Sequence, residues 1–236
     1  MEFVGEKCIR LFALLICGIR VSEVQCDEIW GFVQMKEKTK HAKGKEDDDT
    51  LGDAWCYVGM ERNTKLILTW HLGRRTTEDT EIFTEKLNYA TEGNFEIYTD
   101  GFPAYKDAII LSLGTRVDFA QIIKIYGKPE GEEHRYSPSQ VIEINKIAVH
   151  GNPNMEAAGT SHIERQNLTI RMGNRRMTRL TNAFSKKWIN LDYSYALHFF
   201  HYNFIRIHST LRVTPAMESK ITDRIWTWEE LLRAQI

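Results

Sequence analysis

Phe95-Glu96-Ile97-Tyr98-Thr99-Asp100-Gly101 is the stretch on which the reading of the fold turns. Phe95 to Thr99 has the aromatic and β-branched content of a short strand, and Asp100-Gly101 ends it with turn chemistry. The flanks have a helical period. Thr76 to Ala90 carries Ile82, Phe83, Leu87 and Ala90 on one stripe, with Thr76 or Thr77 able to cap it. Tyr105 to Leu113 is a second helix closed by Gly114, and Val117 to Tyr126 is again a strand. A strand, a helix and a strand in succession require a crossover between parallel neighbours.

Upstream, three strands follow one another with short links. Val21 to Val33 alternates Val24, Cys26, Glu28, Trp30 and Phe32 with Gln25, Asp27, Ile29 and Gly31. Trp55 to Met60 and Leu66 to Leu72 are joined by a turn at Arg62-Asn63, so the three form an antiparallel meander. Lys36 to Asp53, with its Glu46-Asp47-Asp48-Asp49 run, is expected to be a mobile hairpin loop. The expected class is α/β, a mixed five-stranded sheet flanked by helices.

Downstream, Pro129, Gly131, Pro138, Gly151, Pro153 and Gly159 interrupt the chain repeatedly. The stretch of about 128–160 therefore reads as an insertion, although Val141 to Val149 inside it is strand-like. Two long helices are expected at Ser161–Arg176 and Ala183–Ile205, then a loop at His208–Pro215. A last helix starts near Trp228, where Thr227 and Glu230 fit a capping box. The division is an unassigned segment 1–20, a core 21–216 and a C-terminal helix in 217–236.

Leu11 to Ile19 is an apolar run after Lys7 and Arg10, but Glu2 and Glu6 stand where a signal peptide is basic, and no small-residue cleavage site follows. The run is too short to span a bilayer, so it is expected to be a packed or poorly ordered segment of a cytoplasmic chain with no membrane partner. Cys8, Cys17, Cys26 and Cys56 include no C-x-x-C pair, which argues against a zinc knuckle or a disulfide framework.

The 236 residues hold 31 Lys and Arg against 32 Asp and Glu, a net charge of −1. The distribution is uneven. Thr160 to Ala216 carries nine basic residues (165, 171, 175, 176, 179, 186, 187, 206, 212) against Glu164 and Asp192. That half faces either a polyanion or plain solvent. Metal-dependent phosphodiester chemistry needs hard oxygen ligands, and two or three acids from different elements suffice. Asp27 lies within an apolar strand, where a carboxylate costs free energy unless it is paired or liganded. Glu28 beside it, on the other face, is its rival. Asp100 ends a strand, where turn chemistry is the plain alternative. Glu164 heads a basic helix, where Ser161-x-x-Glu164 also fits a capping box. His198 and His201 are spaced as a metal pair, but among Phe199, Phe200, Tyr202 and Phe204 they read as core or nucleic-acid-facing side chains.

Several stretches in one order resemble the DDE transposases of the IS1 family. They are Val24-Gln25-Cys26-Asp27-Glu28-Ile29-Trp30, Gly52-Asp53-Ala54-Trp55, Thr99-Asp100-Gly101 with Ala104-Tyr105, and Arg135-Tyr136-Ser137-Pro138. Further on come Glu164-Arg165-Gln166-Asn167-Leu168-Thr169, then Arg179 through Lys187, Tyr202-Asn203-Phe204, and Arg212 through Met217. The resemblance runs from about Val21 to the C-terminus. It implies a ribonuclease H-like, integrase-like core in which Asp27, Asp100 and Glu164 are the catalytic and metal-binding triad, holding Mg2+ or Mn2+ as two ions. The separations are 100 − 27 = 73 and 164 − 100 = 64 residues, the second lengthened by the insertion.

The resemblance further implies that Arg165, Asn167, Arg171, Arg175, Arg176, Arg179, Lys186 and Lys187 face DNA. Arg171 stands two helical turns after Glu164, on the same face. The implied partners are double-stranded DNA, as element ends and target, and further copies of the chain in a homodimer or larger assembly. Family members carry a zinc-finger and helix-turn-helix region before the core. Nothing before Val21 looks like either, so a fused or separately encoded upstream partner is expected. The rival readings are a nuclease of the same fold that cleaves without joining, and a non-catalytic DNA-binding remnant.

Overall fold

The computed structural model describes residues 2–127 and 141–235. The expected breaks at Pro129, Gly131 and Pro138 and the stretch Arg135-Tyr136-Ser137-Pro138 lie outside them. Six strands make one mixed sheet: β1 (Glu23–Val33), β2 (Gly52–Glu61), β3 (Ile67–Gly73), β4 (Phe95–Asp100), β5 (Val117–Tyr126) and β6 (Val141–His150). Their order across the sheet is β3-β2-β1-β4-β5-β6. β1, β2 and β3 pair antiparallel, β1 with β4 and β4 with β5 pair parallel, and β6 closes the edge antiparallel to β5. An antiparallel meander whose first strand is joined to two parallel strands through crossover helices is the ribonuclease H-like arrangement. The five expected strands are all present. The strand-like piece of the insertion extends the sheet as a sixth, because its backbone pairs with β5 from Phe119 to Tyr126.

Helices cover both faces. On one lie α3 (Thr77–Ala90) and α4 (Tyr105–Leu113), where Tyr57, Phe83 and Tyr105 form a fully buried aromatic group. Burying a large apolar side chain stabilises by about 1.5–3 kcal/mol. Thr76 caps α3 by accepting from the Asp79 N–H. On the other face lie α1 (Glu2–Leu15), α5 (Ser161–Gly173) and α6 (Trp188–Phe200). The segment left unassigned from sequence is thus largely helix: Cys8, Leu11 and Phe12 of α1 are buried, and the Phe12 ring meets Trp70 edge-on at 4.8 Å. Gly5 lets α1 approach α6 closely, since a Cβ there would lie 2.5 Å from Tyr193.

Three expectations change. Lys36–Asp53 is not simply a loop: α2 (Glu37–Ala42) forms in it, held by reciprocal bonds in which Glu37 N–H donates to Asp53 Oδ1 and Asp53 N–H to Glu37 Oε2. The helix expected at Ser161–Arg176 stops at Gly173, where Asn174 turns extended, and a single 3-10 turn follows. The helix expected from Ala183 begins only at Trp188 and ends in a π-helical turn over His201–Ile205. Beyond it come α7 (Pro215–Glu218) and α8 (Trp228–Arg233), the latter with the Thr227–Glu230 capping box that its sequence predicts.

Candidate active site

The site arises where the two central parallel strands part. β1 and β4 pair from Glu23 with Glu96 to Cys26 with Thr99, and there the pairing stops. Asp27 and Asp100 are the next residue on each strand. Ligand sites of sheets with crossovers gather at such carboxyl ends. Asp27, Asp100 and Glu164 line one open cavity of about 470 Å³, together with Arg75, Phe102, Lys124, Tyr126 and Thr160.

Each carboxylate is held by specific donors. Asp27 accepts from the Glu28 N–H at 2.9 Å and from Asn167 Nδ2 at 2.8 Å. Asp100 accepts from the Phe102 N–H at 2.9 Å, and Gln121 braces that turn by donating to the Asp100 and Phe102 carbonyls. Glu164 accepts from Thr160 Oγ1 at 2.5 Å and from the Lys124 ammonium on β5. The helix start is therefore not the Ser161 capping box of the sequence reading: Thr160 is the N-cap residue, and its hydroxyl donates to the glutamate. The His162 and Ile163 N–H groups are instead satisfied by Gln25 Oε1 of β1, which fastens α5 to the strand that carries Asp27.

Glu28 is drawn into the same cluster. One ligand atom each from Asp27, Glu28 and Asp100 lies within 4.8 Å of the others, so the three could hold an ion. Asp27 faces α5 and Glu28 faces α4, yet both reach Asp100 because the pairing has ended. Glu28 is 1% exposed in its side chain, and its Oε2 accepts from Arg75 Nε at 3.1 Å and is ion-paired with Nη2 at 3.0 Å. Arg75 Nη2 also lies 3.4 Å from Asp100 Oδ2, and its guanidinium rests over the rings of Phe102 (4.2 Å) and Trp55 (4.9 Å). Burial, then the Asp100 charge, raises the Asp27 carboxyl to about 7 and that of Glu28 to about 8. The Tyr105 hydroxyl is near enough to favour the Glu28 carboxylate, but neither it nor Glu28 Oε1 completes a hydrogen bond. Buried, unsatisfied oxygens beside a carboxylate cluster mark a place where charge is meant to be compensated.

The basic residues divide by position. Arg165, Arg175, Arg179, Lys186 and Lys187 are exposed. Arg171 is half-buried and donates to the backbone carbonyls of Met177 (3.2 Å) and Trp30 (3.0 Å), tying the end of α5 to β1. Arg176 is half-buried and donates to Ser185 Oγ. Asn167 points into the acid cluster through Asp27. His198 is packed against Phe199, and burial pushes its imidazole down to about 4, while His201 stacks on Trp228. Arg75 and Lys124 are cations at the cluster that the sequence does not mark. Neither belongs to a periodic pattern or motif that would mark it.

No family model matches the chain, and no curated protein sequence matches it. Solved structures similar to it include a chain of the cryo-EM structure of the simian T-cell lymphotropic virus intasome in complex with PP2A regulatory subunit B56 gamma, with a TM-score of 0.43 and 12% identity. That likeness covers 85% of this chain and 55% of the other, so the protein spans about half the length of the chain it resembles. The ribonuclease H-like assignment rests on the strand order itself.

Proposed function

We propose that the protein is a metal-dependent polynucleotidyl transferase, a DDE transposase resembling the IS1 family, that cleaves DNA at an element's 3′ ends and joins them to target DNA. The observation that carries this reading is the convergence of Asp27, Asp100 and Glu164 on one cavity from β1, β4 and α5. The donor set fits Mg2+ or Mn2+: every candidate ligand is a hard carboxylate oxygen, and Asp27 and Asp100 lie close enough to share an ion. A bound pair of such ions would supply charge neutralisation at the attacking and leaving oxygens of the phosphodiester.

The protein's own groups do the rest. Asn167 and the Glu28 N–H orient Asp27, the Phe102 N–H orients Asp100, and Thr160 and Lys124 orient Glu164. Arg165, Arg175, Arg179, Lys186 and Lys187 present exposed cations to DNA phosphates, which position the duplex without reading its bases. Arg171 and Arg176 hold the segment that carries those cations against the sheet. Two DNA ends must meet in one reaction, so the working form on DNA is a dimer or larger, supplied with end recognition by a fused or separate DNA-binding region.

The test is a joining assay with pre-cleaved ends of the element that encodes the chain, Mg2+ and that end-binding region. Joined product is expected from the unmodified chain. Asp100→Asn and Glu164→Gln should abolish it while leaving DNA binding intact. Cleavage without joining would assign a nuclease instead. Neither cleavage nor joining would leave a DNA-binding remnant.

A further inference from the structure

Four carboxylates stand around the cavity, but their surroundings differ. Asp27, Asp100 and Glu164 line it. Glu28 does not line it but lies buried on the opposite face of β1, within 4.8 Å of Asp27 and Asp100, with Oε2 accepting from Arg75 Nε and paired with Nη2. A charge-assisted hydrogen bond of this kind is stronger than a neutral one. Arg75 is itself seated on Trp55 and Phe102, contacts that a planar guanidinium makes better than a lysine ammonium. Its Nη2 also donates weakly to Asp100 Oδ2 at 3.4 Å, so Glu28 and Asp100 share one guanidinium, with the shorter contacts on Glu28.

We propose that Arg75 and Glu28 form a self-neutralised unit that keeps Glu28 out of the metal coordination, so that Arg75 acts as a positioning residue restricting the ligands to Asp27, Asp100 and Glu164. This rests on the metal-binding part of the function proposed above. A site with few carboxylates suits Mg2+, which keeps several waters, whereas an added carboxylate favours Ca2+, which takes six to eight oxygens. Arg75 is therefore a determinant of metal choice. Removing it alone frees Glu28 for the ion. Removing Glu28 alone lets the guanidinium settle on Asp100 and oppose the ion. Removing both leaves the ligand set as it was.

The experiment is calorimetric titration of the full chain without DNA, using Mn2+, Mg2+ and Ca2+ separately, on the unmodified protein, Arg75→Gln, Glu28→Gln, the double variant and Arg75→Lys. Arg75→Gln should tighten Ca2+ by about tenfold, the scale on which supporting groups change metal affinity, and should tighten Mg2+ less. Glu28→Gln should weaken all three ions. The double variant should return to within about threefold of the unmodified chain, since the gain from one change and the loss from the other both depend on the partner that is also removed. Arg75→Lys keeps the charge but not the fork, and should give a Ca2+ gain smaller than Arg75→Gln gives. It also supplies that reading if Arg75→Gln fails to fold. A double variant weakened as much as Glu28→Gln would make Glu28 a metal ligand and overturn the proposal. So would an Arg75 variant that leaves Ca2+ affinity unchanged or lowers it, or an unmodified chain that binds none of the ions. Metal binding that is lost in Asp100→Asn but unaccompanied by joining would instead refute the transferase reading and leave this one standing.

Discussion

Asn167 donates its side-chain amide to Asp27 Oδ2 at 2.8 Å across 140 residues of chain. The bond joins α5, which carries Glu164, to β1, which carries Asp27. The other donor to Asp27 is the Glu28 N–H, on the same strand. Asn167→Ala should therefore free the carboxylate to rotate. We expect about 10–100-fold weaker Mn2+ binding and joining, with a stability cost of about 1 kcal/mol. Titration calorimetry and chemical denaturation on one preparation separate the two effects. Unchanged metal affinity would show that Asp27 needs no such support.

Acid–base linkage gives a second expectation. The Asp27 carboxyl is raised to about 7 from an ordinary 3.8, and that of Glu28 to about 8 from 4.5, in both cases chiefly by burial. The folded chain thus keeps protons that the unfolded chain has already released across this window. Stability from these groups is fully present below their ordinary values and is lost as pH rises through about 7 to 8. Metal binding needs the ionised forms, so Mg2+ affinity runs the other way and grows over the same range. Thermal unfolding of the metal-free protein should show a midpoint that falls between about pH 5.5 and 8.5, and added Mg2+ should recover more of it at the upper end. A midpoint that climbs through that window contradicts the assignment.

The contact between α1 and α6 makes a third. A Cβ at Gly5 would stand 2.5 Å from Tyr193 Cβ and Cγ. Gly5→Ala should cost about 1–3 kcal/mol by overpacking, although alanine favours helix more than glycine does. Tyr193→Ala in that background should restore part of the loss, because it removes Cγ and the ring, leaving only Cβ of the clashing atoms. Denaturant midpoints of the two single variants and the double give the answer, and simple additivity would mean that the helices do not meet there.

Charge at the start of α6 makes a fourth. Lys186 and Lys187 are exposed just before that helix. Replacing both with Gln should weaken DNA binding similarly for all sequences. The slope of log affinity against log salt should fall by about 1 for each lysine that contacts a phosphate. A changed sequence preference with an unchanged slope would place these lysines elsewhere than on the backbone.

Much of the fold is legible in the residues. Alternation marks β1 to β3, and the helical spacing at Thr77–Ala90 and Tyr105–Leu113 marks the crossovers. Asp27 stands out as a carboxylate within an apolar strand, Asp100 at a strand end and Glu164 at a helix start, and the three do share a cavity. Other features depend on partners far along the chain. The period of α1 says nothing about α6, and β6 becomes part of the sheet only through β5. α2 is held where each of Glu37 and Asp53 donates its N–H to the other's carboxylate, 16 residues apart in the sequence. Gln25 looks like an ordinary strand residue until it caps α5. Alternation puts Glu28 on the wrong face of β1 for a shared site, and it reaches Asp100 only because the β1–β4 pairing ends at Cys26 and Thr99.

The capping of α5 by Gln25 bears on when the acid site is completed as the chain is made. Domains form from the N-terminus during synthesis. The central strands, with Asp27 and Asp100, can pair before residue 160 has left the ribosome, but Glu164 and Asn167 arrive only when α5 is complete and docked on Gln25. A nascent or prematurely terminated chain would carry two of the three acids and lack the third. The topology itself thus delays completion of the acid site until the strand that anchors it and the helix that completes it have both been folded.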